Sequence, residues 1–261
     1  MSSMIHARAL LFAGSLSLAA SAQAAAIAVV NPGFEDTTGL NGPTNEFFFG
    51  QPIGWDFYDP NTLIGNGAGS NGIFTGTLEP NGVDFFNTTA PEGDLVGILF
   101  GFGDQPSAGA GEYGIEQTLA AVLQANTTYE LSVEVGNIGS GTGLSGDFFD
   151  LSGFLGYRVE LLAGNTTIAV DDNTLVIPEA EFATSTVSFT TGGAPALLGQ
   201  NLGIRLVNVN GPPGGDDPNI DVEVDFDNVR LSATPVPAPT TLALLALGLA
   251  GIGFSRRSES T

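Results

Sequence analysis

Hydrophobic and polar residues alternate at every second position in several runs of the middle of the chain. In residues 128–135 a tyrosine, a leucine and two valines share one face, and the residues between them are polar. The same alternation recurs in residues 154–161, 187–189 and 202–206, and it is clearest in residues 220–226. A period of two predicts β-strands with one packed face and one face in water.

Up to residue 226 the apolar residues of this run occupy even positions, but beyond it they occupy odd ones, Val229 and Leu231. This change predicts a β-bulge at Asp227-Asn228. Glycine and asparagine cluster between the apolar runs, as expected for turns. One-sided antiparallel strands bury their apolar faces by packing as two sheets. We therefore predict that residues 27–234 form an all-β domain, an antiparallel β-sandwich.

The N-terminal segment, residues 1–24, has the three parts of a secretory signal peptide. Arg8 supplies a positive charge, residues 9–20 are apolar, and Ala22-Gln23-Ala24 fits a small-x-small cleavage site. We predict a signal helix that is removed by cleavage after Ala24, although cleavage after Ala26 fits nearly as well.

The C-terminal segment, residues 235–257, has three ordered features. They are a proline-rich stretch containing Pro237, Ala238 and Pro239, an uncharged apolar run over residues 241–254, and the basic pair Arg256 and Arg257. Fourteen helical residues span about 21 Å, which is less than the ~30 Å of a bilayer's hydrocarbon core. The pattern predicts a short transmembrane helix that holds the chain in the inner membrane with its arginines in the cytoplasm.

These three features resemble the PEP-CTERM sorting signal of Gram-negative bacteria, which exosortase-type membrane enzymes process. Ala238 stands where that family usually has glutamate. The resemblance implies an exported protein of the cell surface or the exopolysaccharide matrix, anchored in the inner membrane until it is processed. An ordinary C-terminal anchor is the alternative, and it also places the domain outside the cytoplasm.

The composition excludes several classes of active site. The chain has no cysteine and no lysine, and its one histidine, His6, lies in the signal segment. Serine triads, cysteine nucleophiles, histidine-ligated zinc and lysine Schiff bases are thereby excluded from the mature domain. All but one of the 28 acidic residues lie in the middle region, opposed there only by Arg158, Arg205 and Arg230. This charge repels nucleic acid and suits divalent cations, neutral glycans or a salty medium.

Four short motifs resemble the jelly-roll domains of the galactose-binding-like superfamily, which includes several carbohydrate-binding modules. They are residues 31–35 at the start of the domain, Gly54-Trp55, residues 127–133, and residues 226–231 at its end. Many such domains hold a structural Ca²⁺ between a loop near the first strand and an Asp of the last strand. The matching positions are Glu35 and Asp227. Alternatively, Glu35 is a turn residue and Asp227 a bulge residue.

Glycan binding requires exposed aromatic faces beside polar groups. Tyr58 and Tyr113 are the candidates for that role, whereas the single tryptophan, Trp55, is expected in the core. The run Phe47-Phe48-Phe49 is either an exposed patch or a strand buried on both faces.

We therefore predict a non-enzymatic exported domain that binds extracellular polysaccharide. A structural or adhesive surface protein without a small ligand is the alternative. A carboxylate-dependent glycan-active enzyme is the third possibility, but nothing in the sequence distinguishes Asp147 and Asp150, or Asp171 and Asp172, from the other acids.

Overall fold

The computed structural model describes residues 23–81, 84–102, 110–209 and 222–237, and in these ranges the chain forms strands and turns without a helix. Strands β1 to β15 span Ala25–Ile27, Asn41–Thr44, Phe47–Phe49, Asp56–Tyr58, Ile73–Leu78, Val96–Gly101, Tyr113–Val122, Thr127–Asn137, Gly141–Thr142, Phe148–Phe149, Tyr157–Ala163, Thr166–Asp172, Glu181–Thr190, Asn201–Asn208 and Val222–Pro235. Nearly all of the predicted signal helix and the whole predicted transmembrane helix lie outside the described residues. Within them, no helix has the length and hydropathy needed to cross a bilayer.

The strands form two large antiparallel sheets and one small hairpin. The larger sheet has the order β13-β8-β15-β6-β5-β3-β2, with β1 added against β15. The second sheet has five strands in the order β12-β11-β14-β7-β4, and β9 pairs only with β10. The prediction of an all-β antiparallel protein is confirmed.

One hydrophobic core lies between the two large sheets. Strand β8 contributes Tyr129, Leu131, Val133 and Val135 to this core, as the alternation in the sequence predicts. The second sheet contributes the apolar residues of β7, β11 and β14 to the same cluster. Trp55 is also buried there and stacks on Phe34 with ring centroids 5.5 Å apart, so its predicted place in the core is confirmed.

A second hydrophobic core covers the opposite face of the larger sheet. Strand β6 is buried along its whole length, with Leu99 in the core between the sheets and Ile98 and Phe100 in the second core. The expectation that each strand has one face in water is therefore wrong for β5, β6 and β15. The reason is that loops and the β9–β10 hairpin cover this face with phenylalanine side chains.

The predicted bulge in the last strand is confirmed. The register between β15 and β8 shifts between Asp227 and Arg230, and Asn228 has a φ of 52°. The backbone N–H of Val229 donates to the carbonyl of Pro32 at 2.9 Å. The bulge thereby joins the last strand to the first loop of the domain.

Candidate active site

A cavity of about 230 Å³ opens on the second core. Its wall is apolar apart from a few polar side chains, and its residues come from β3, β5, β6, β15, the β2–β3 turn and the segment around β10. The lining residues are Thr44, Asn45, Glu46, Phe47, Phe49, Phe74, Ile98, Phe100, Phe102, Phe149, Leu151 and Glu223. An engineered cavity of about 150 Å³ already binds benzene, so this one has room for a larger aromatic molecule.

Half of the lining residues are phenylalanines, and five of their six rings are linked by mutual contacts. The rings of Phe47 and Phe49 stack with centroids 5.4 Å apart, and Phe49 contacts Phe74 at 4.8 Å. Phe74 meets Phe102 edge-on at 5.5 Å. Edge-to-face and offset contacts of this kind stabilise aromatic clusters. The sequence left open whether residues 47–49 form an exposed patch or a buried strand, and in the structure Phe47 and Phe49 line a partly enclosed site.

The last strand places Glu223 in this cavity. Glu223 lies opposite Phe100 in the pairing of β15 with β6, and Asp225 lies opposite Ile98. Directly paired residues share a face of the sheet, so both carboxyl groups are on the side of the second core. Glu223 is 2% exposed and Asp225 is fully buried.

The charge of Glu223 affects the protonation of Asp225. Burial, and then the negative charge of Glu223, raise the pKa of Asp225 well above its usual value. Among the described residues that line the cavity, none is basic. The site therefore combines aromatic walls with acidic groups, an arrangement that suits proton donation to an apolar ligand.

The structure corrects the predicted glycan contacts. Tyr113 is fully buried because it starts β7 with its side chain in the core between the sheets, so the expected exposure is wrong. Tyr58 is half-buried, and its hydroxyl donates to Oε1 of Glu112 at 2.6 Å. The guanidinium of Arg205 lies 4.0 Å from the centroid of the Tyr58 ring and covers one face of it. Tyr113 therefore offers no aromatic face to a glycan, and one face of Tyr58 is already occupied by a cation.

The predicted calcium ligands lie in one acidic region beside the bulge. Oε1 of Glu35 accepts the N–H groups of Asp94 and Leu95 at 2.8 and 2.9 Å. Oδ2 of Asp227 accepts the N–H of Glu92 at 2.7 Å. Burial raises the pKa of Asp227 to about 7, and the charges of Glu92 and Glu35 act in the same direction. Over the described ranges, no three acidic, histidine or cysteine side chains are grouped as a metal site.

The other named acids do not form a carboxylate pair across a cleft. Asp171 accepts hydrogen bonds from the Tyr157 and Ser185 hydroxyls at 2.7 and 2.6 Å, which is a structural role. Asp147 and Asp150 are exposed in and beside the β9–β10 hairpin.

Sequence reasoning missed Glu223 as a site residue. Its place in an alternating strand predicted a carboxylate in water, because the pattern of one strand cannot reveal what covers its second face. The available signal was the density of phenylalanine in separate segments, above all residues 47–49, 85–86 and 100–102.

The fold and the cavity together define the class: an all-β protein with a small, phenylalanine-lined site that carries an acid. Residues 25–232 match the HpiC1-like family, described as HpiC1 cyclase. The chain belongs to this family of HpiC1-like cyclases.

Solved structures support this membership. An apo cyclase from Fischerella sp. is 38% identical, with 82% of this chain and 98% of that chain covered and a TM-score of 0.68. The Stig cyclase Fisc from Fischerella sp. TAU, in complex with (3Z)-3-(1-methyl-2-pyrrolidinylidene)-3H-indole, is 38% identical over 82% of this chain and all of that chain, with a TM-score of 0.67. A cyclase from Fischerella sp. TAU in complex with 4-(1H-indol-3-yl)butan-2-one is 39% identical over 82% of this chain and all of that chain, with a TM-score of 0.68. No curated protein sequence matches the chain significantly.

These relatives overturn two predictions. The chain was expected to be a non-enzymatic domain that binds glycan, and both parts of that expectation are wrong, because the family and its solved members are cyclases. The error arose because the resemblance to carbohydrate-binding modules rested on four short motifs in the loops and strands of the domain, and such motifs do not report the chemistry of the site.

The C-terminal resemblance is confirmed. Residues 235–257 match the PEP-CTERM protein-sorting motif, which identifies an exported protein recognised by an exosortase-type enzyme. Pro237 is the last described residue of this segment, and Ala238, Pro239, Arg256 and Arg257 lie outside the described residues.

Proposed function

We propose that the protein is an exported cyclase that closes a ring in an aromatic, indole-sized substrate, with Glu223 as the acid. The observation that carries this proposal is the buried Glu223 carboxyl in a cavity walled by phenylalanine rings. The indole-type ligands of the two related cyclases support the class of substrate.

The chemistry follows from the lining of the cavity. Because the pKa of Asp225 is raised, the Glu223–Asp225 pair retains one proton, and Glu223, the member of the pair that lines the cavity, would deliver it. The Glu223 carboxyl would donate a proton to the π system of the substrate, and the electron-rich faces of the phenylalanine rings would stabilise the cation formed. Ring closure followed by loss of one proton returns that proton to the Glu223 carboxylate. The product is then an isomer of the substrate.

Turnover of indoles that carry an alkenyl side chain tests this function. We expect the purified chain to convert a member of this series to a cyclised isomer, detected by chromatography and mass spectrometry. Glu223→Gln should lower kcat by 10²–10⁴-fold, the range of general acid catalysis. Glu130→Gln is the matched control, because Glu130 is exposed on β8, and it should keep the full rate. A Glu223→Gln variant with undiminished kcat would exclude this residue as the acid.

We also propose where the protein works: at the cell surface or in the extracellular matrix, after a transient stay in the inner membrane. Support comes from the sorting motif at residues 235–257 and from the secretory pattern of residues 1–24. The cyclase would then act on a substrate outside the cytoplasm.

For the architecture, we infer a β-sandwich of the jelly-roll type. The shared core of the eight-stranded and five-stranded sheets, and the antiparallel pairing of all their strands, support this inference.

We further propose that Glu35 and Asp227 bind a structural Ca²⁺. Carboxylates are the hard oxygen ligands that Ca²⁺ prefers. Without a cation, the charges of Glu35 and Glu92 disfavour the ionised form of the buried Asp227 carboxyl. A bound Ca²⁺ would offset these charges and join the first loop of the domain to its last strand.

A further inference from the structure

We propose that Glu46 is a positioning residue whose hydrogen bond to Leu144 holds the β9–β10 hairpin closed over the cavity and so controls substrate entry and exit. We call this hydrogen bond the latch. This inference rests on the proposed function, because it assigns a task to the wall of the same cavity. The Glu46 side chain lines the cavity, and its Oε2 accepts the backbone N–H of Leu144 at 3.2 Å.

The β2–β3 turn fixes Glu46 in this position. Asn45 adopts a left-handed conformation with a φ of 56°, as suits a tight turn, and Glu46 follows it directly. The backbone carbonyl of Glu46 accepts the N–H of Glu79 at 2.9 Å, which ties the turn to the end of β5. Glu46 is only 2% exposed. A carboxylate is costly to bury unless it accepts hydrogen bonds, and the Leu144 N–H provides one.

The base of the hairpin is held firmly by several contacts. The N–H of Gly139 donates to the carbonyl of Phe85 at 2.8 Å, and the N–H of Leu151 donates to Oγ of Ser140 at 3.0 Å. The N–H of Ser140 also donates to Oε1 of Glu179 at 3.1 Å. These contacts form a fixed point about which the hairpin could swing.

The tip of the hairpin, residues 143–147, has fewer hydrogen bonds to the rest of the protein than the base has. Among the described residues, the hydrogen bond that connects the tip to the body of the protein is the one from Leu144 to Glu46. The side chains of Leu144 and Phe148 are 62% and 70% exposed, so they contribute little packing against the body. The tip is thus held by one hydrogen bond to the body and by the contacts of Phe149, so it opens at a lower free-energy cost than the base of the hairpin.

The hairpin carries part of the cavity wall. Phe149 lines the cavity and meets Phe85 edge-on at 6.0 Å, and Leu151 lines the cavity two residues further on. A swing of the tip away from Glu46 would withdraw Phe149 and open the cavity to solvent. The Glu46–Leu144 hydrogen bond therefore selects between a closed and an open site.

Gly143 provides an independent test position. A Cβ atom at Gly143 would collide with Oε1 of Glu46 and would lie 3.3 Å from the Phe149 ring. The glycine lets the hairpin approach the carboxylate. Gly143→Ala should therefore open the latch, and Glu46→Ala in the same chain should relieve the collision with the carboxylate.

Hydrogen exchange tests the latch without any substrate. The amide of Leu144 should exchange on the order of tenfold faster in Glu46→Leu, because that side chain accepts no hydrogen bond. Glu46→Gln should keep the protection, since its amide oxygen accepts the same bond. Glu130→Gln is again the control. Unchanged exchange in Glu46→Leu, or equal losses in the Leu and Gln variants, would overturn the proposal.

Ligand kinetics test the consequence for the cavity, with 4-(1H-indol-3-yl)butan-2-one as the probe. The rate of probe release should rise about tenfold in Glu46→Leu and in Gly143→Ala, and stay near the wild-type rate in Glu46→Gln.

For any substrate that is turned over, Glu46→Leu should raise KM more than it lowers kcat. A Glu46→Gln variant that loses kcat would assign a catalytic role to Glu46 and contradict the latch. Failure of Glu223→Gln to affect turnover would refute the proposed acid but leave the Leu144 exchange unchanged.

Discussion

Asp171 shows how one buried carboxylate connects the two sheets. It belongs to β12 of the five-stranded sheet, and its Oδ2 accepts the hydroxyl of Ser185 from β13 of the larger sheet at 2.6 Å. Tyr157 and Thr174 donate to the same carboxylate at 2.7 Å each. Burial alone would raise the pKa of Asp171, but the hydrogen bonds from Ser185, Thr174 and Tyr157 outweigh it and hold the pKa below its usual value.

The lowered pKa of Asp171 predicts an acid-sensitive contribution to stability. A folded-state pKa below the unfolded value gives stability that is present above about pH 4 and is lost as the pH falls through the folded pKa. Asp171→Asn should therefore cost about 1–3 kcal/mol at pH 7, and the difference from wild type should shrink on acidification. Urea unfolding between pH 7 and pH 2.5 measures this. A difference that stays constant with pH would contradict the assignment.

Gly76 shows a different constraint, one that acts through the backbone. Its φ is 142°, and a Cβ atom there would collide with the backbone carbonyl oxygen of Phe48 on the neighbouring strand β3. Because Phe47 and Phe49 line the cavity, the close pairing of β3 with β5 sets the shape of the site.

Gly76→Ala should destabilise the protein by about 2–3 kcal/mol and weaken binding in the cavity, because β3 must move. Gly192→Ala is the matched control: a Cβ there meets no atom within 4 Å, so its effect should be below about 1 kcal/mol. Thermal unfolding and titration with 4-(1H-indol-3-yl)butan-2-one would measure both effects. Equal stability of the two variants would show that the pairing of β3 with β5 tolerates a side chain.

At the scale of the strand, sequence alternation identified the elements but not their surroundings. The alternation gives the inward residues of β8 and of the described part of β15 correctly, and it places the bulge at Asp227-Asn228, because alternation is a local property. Residues 220 and 221 of the last run lie outside the described residues. Glu223 was assigned to the solvent, because the cover over its face comes from loops more than 70 residues away in sequence. The sequence therefore shows that a glutamate lies at this position of the strand, but it does not show that the glutamate is buried.

The ligand predictions failed for a related reason. The sequence places Tyr58 on a loop-like segment and Tyr113 just before a strand, yet the fold uses Tyr58 in an ion-pair network and Tyr113 in the core. The phenylalanine-rich segments, whose meaning was left open, form the cavity. Residue type limits the possible chemistry, but only tertiary packing shows which residues of a type come together in one site.

At the scale of the whole molecule, the acidic region of Glu35, Glu92 and Asp227 joins the two ends of the domain. The first loop and the last strand meet there, and β1 pairs with the end of β15. A cation bound in this acidic region would hold the two ends of the domain together while the signal peptide and the C-terminal sorting segment are still attached to them.

Calcium should therefore raise the melting temperature of the full chain. Ca²⁺ at a hundredfold excess over its dissociation constant stabilises by about 2.7 kcal/mol, which corresponds to a rise of roughly 5–10 °C for a domain of this size. Asp227→Asn should abolish the rise, whereas Asp147→Asn, an exposed control in the β9–β10 hairpin, should keep it. A melting temperature that is unaffected by calcium and by chelator would refute the site.

The most direct test of the account is a crystal structure of the protein with 4-(1H-indol-3-yl)butan-2-one. We predict that the indole ring lies among Phe47, Phe74 and Phe100, and that a carboxyl oxygen of Glu223 comes within contact distance of the ligand. A ligand bound on the five-stranded sheet or in the bulge region, with the phenylalanine cavity left empty, would contradict the proposed active site.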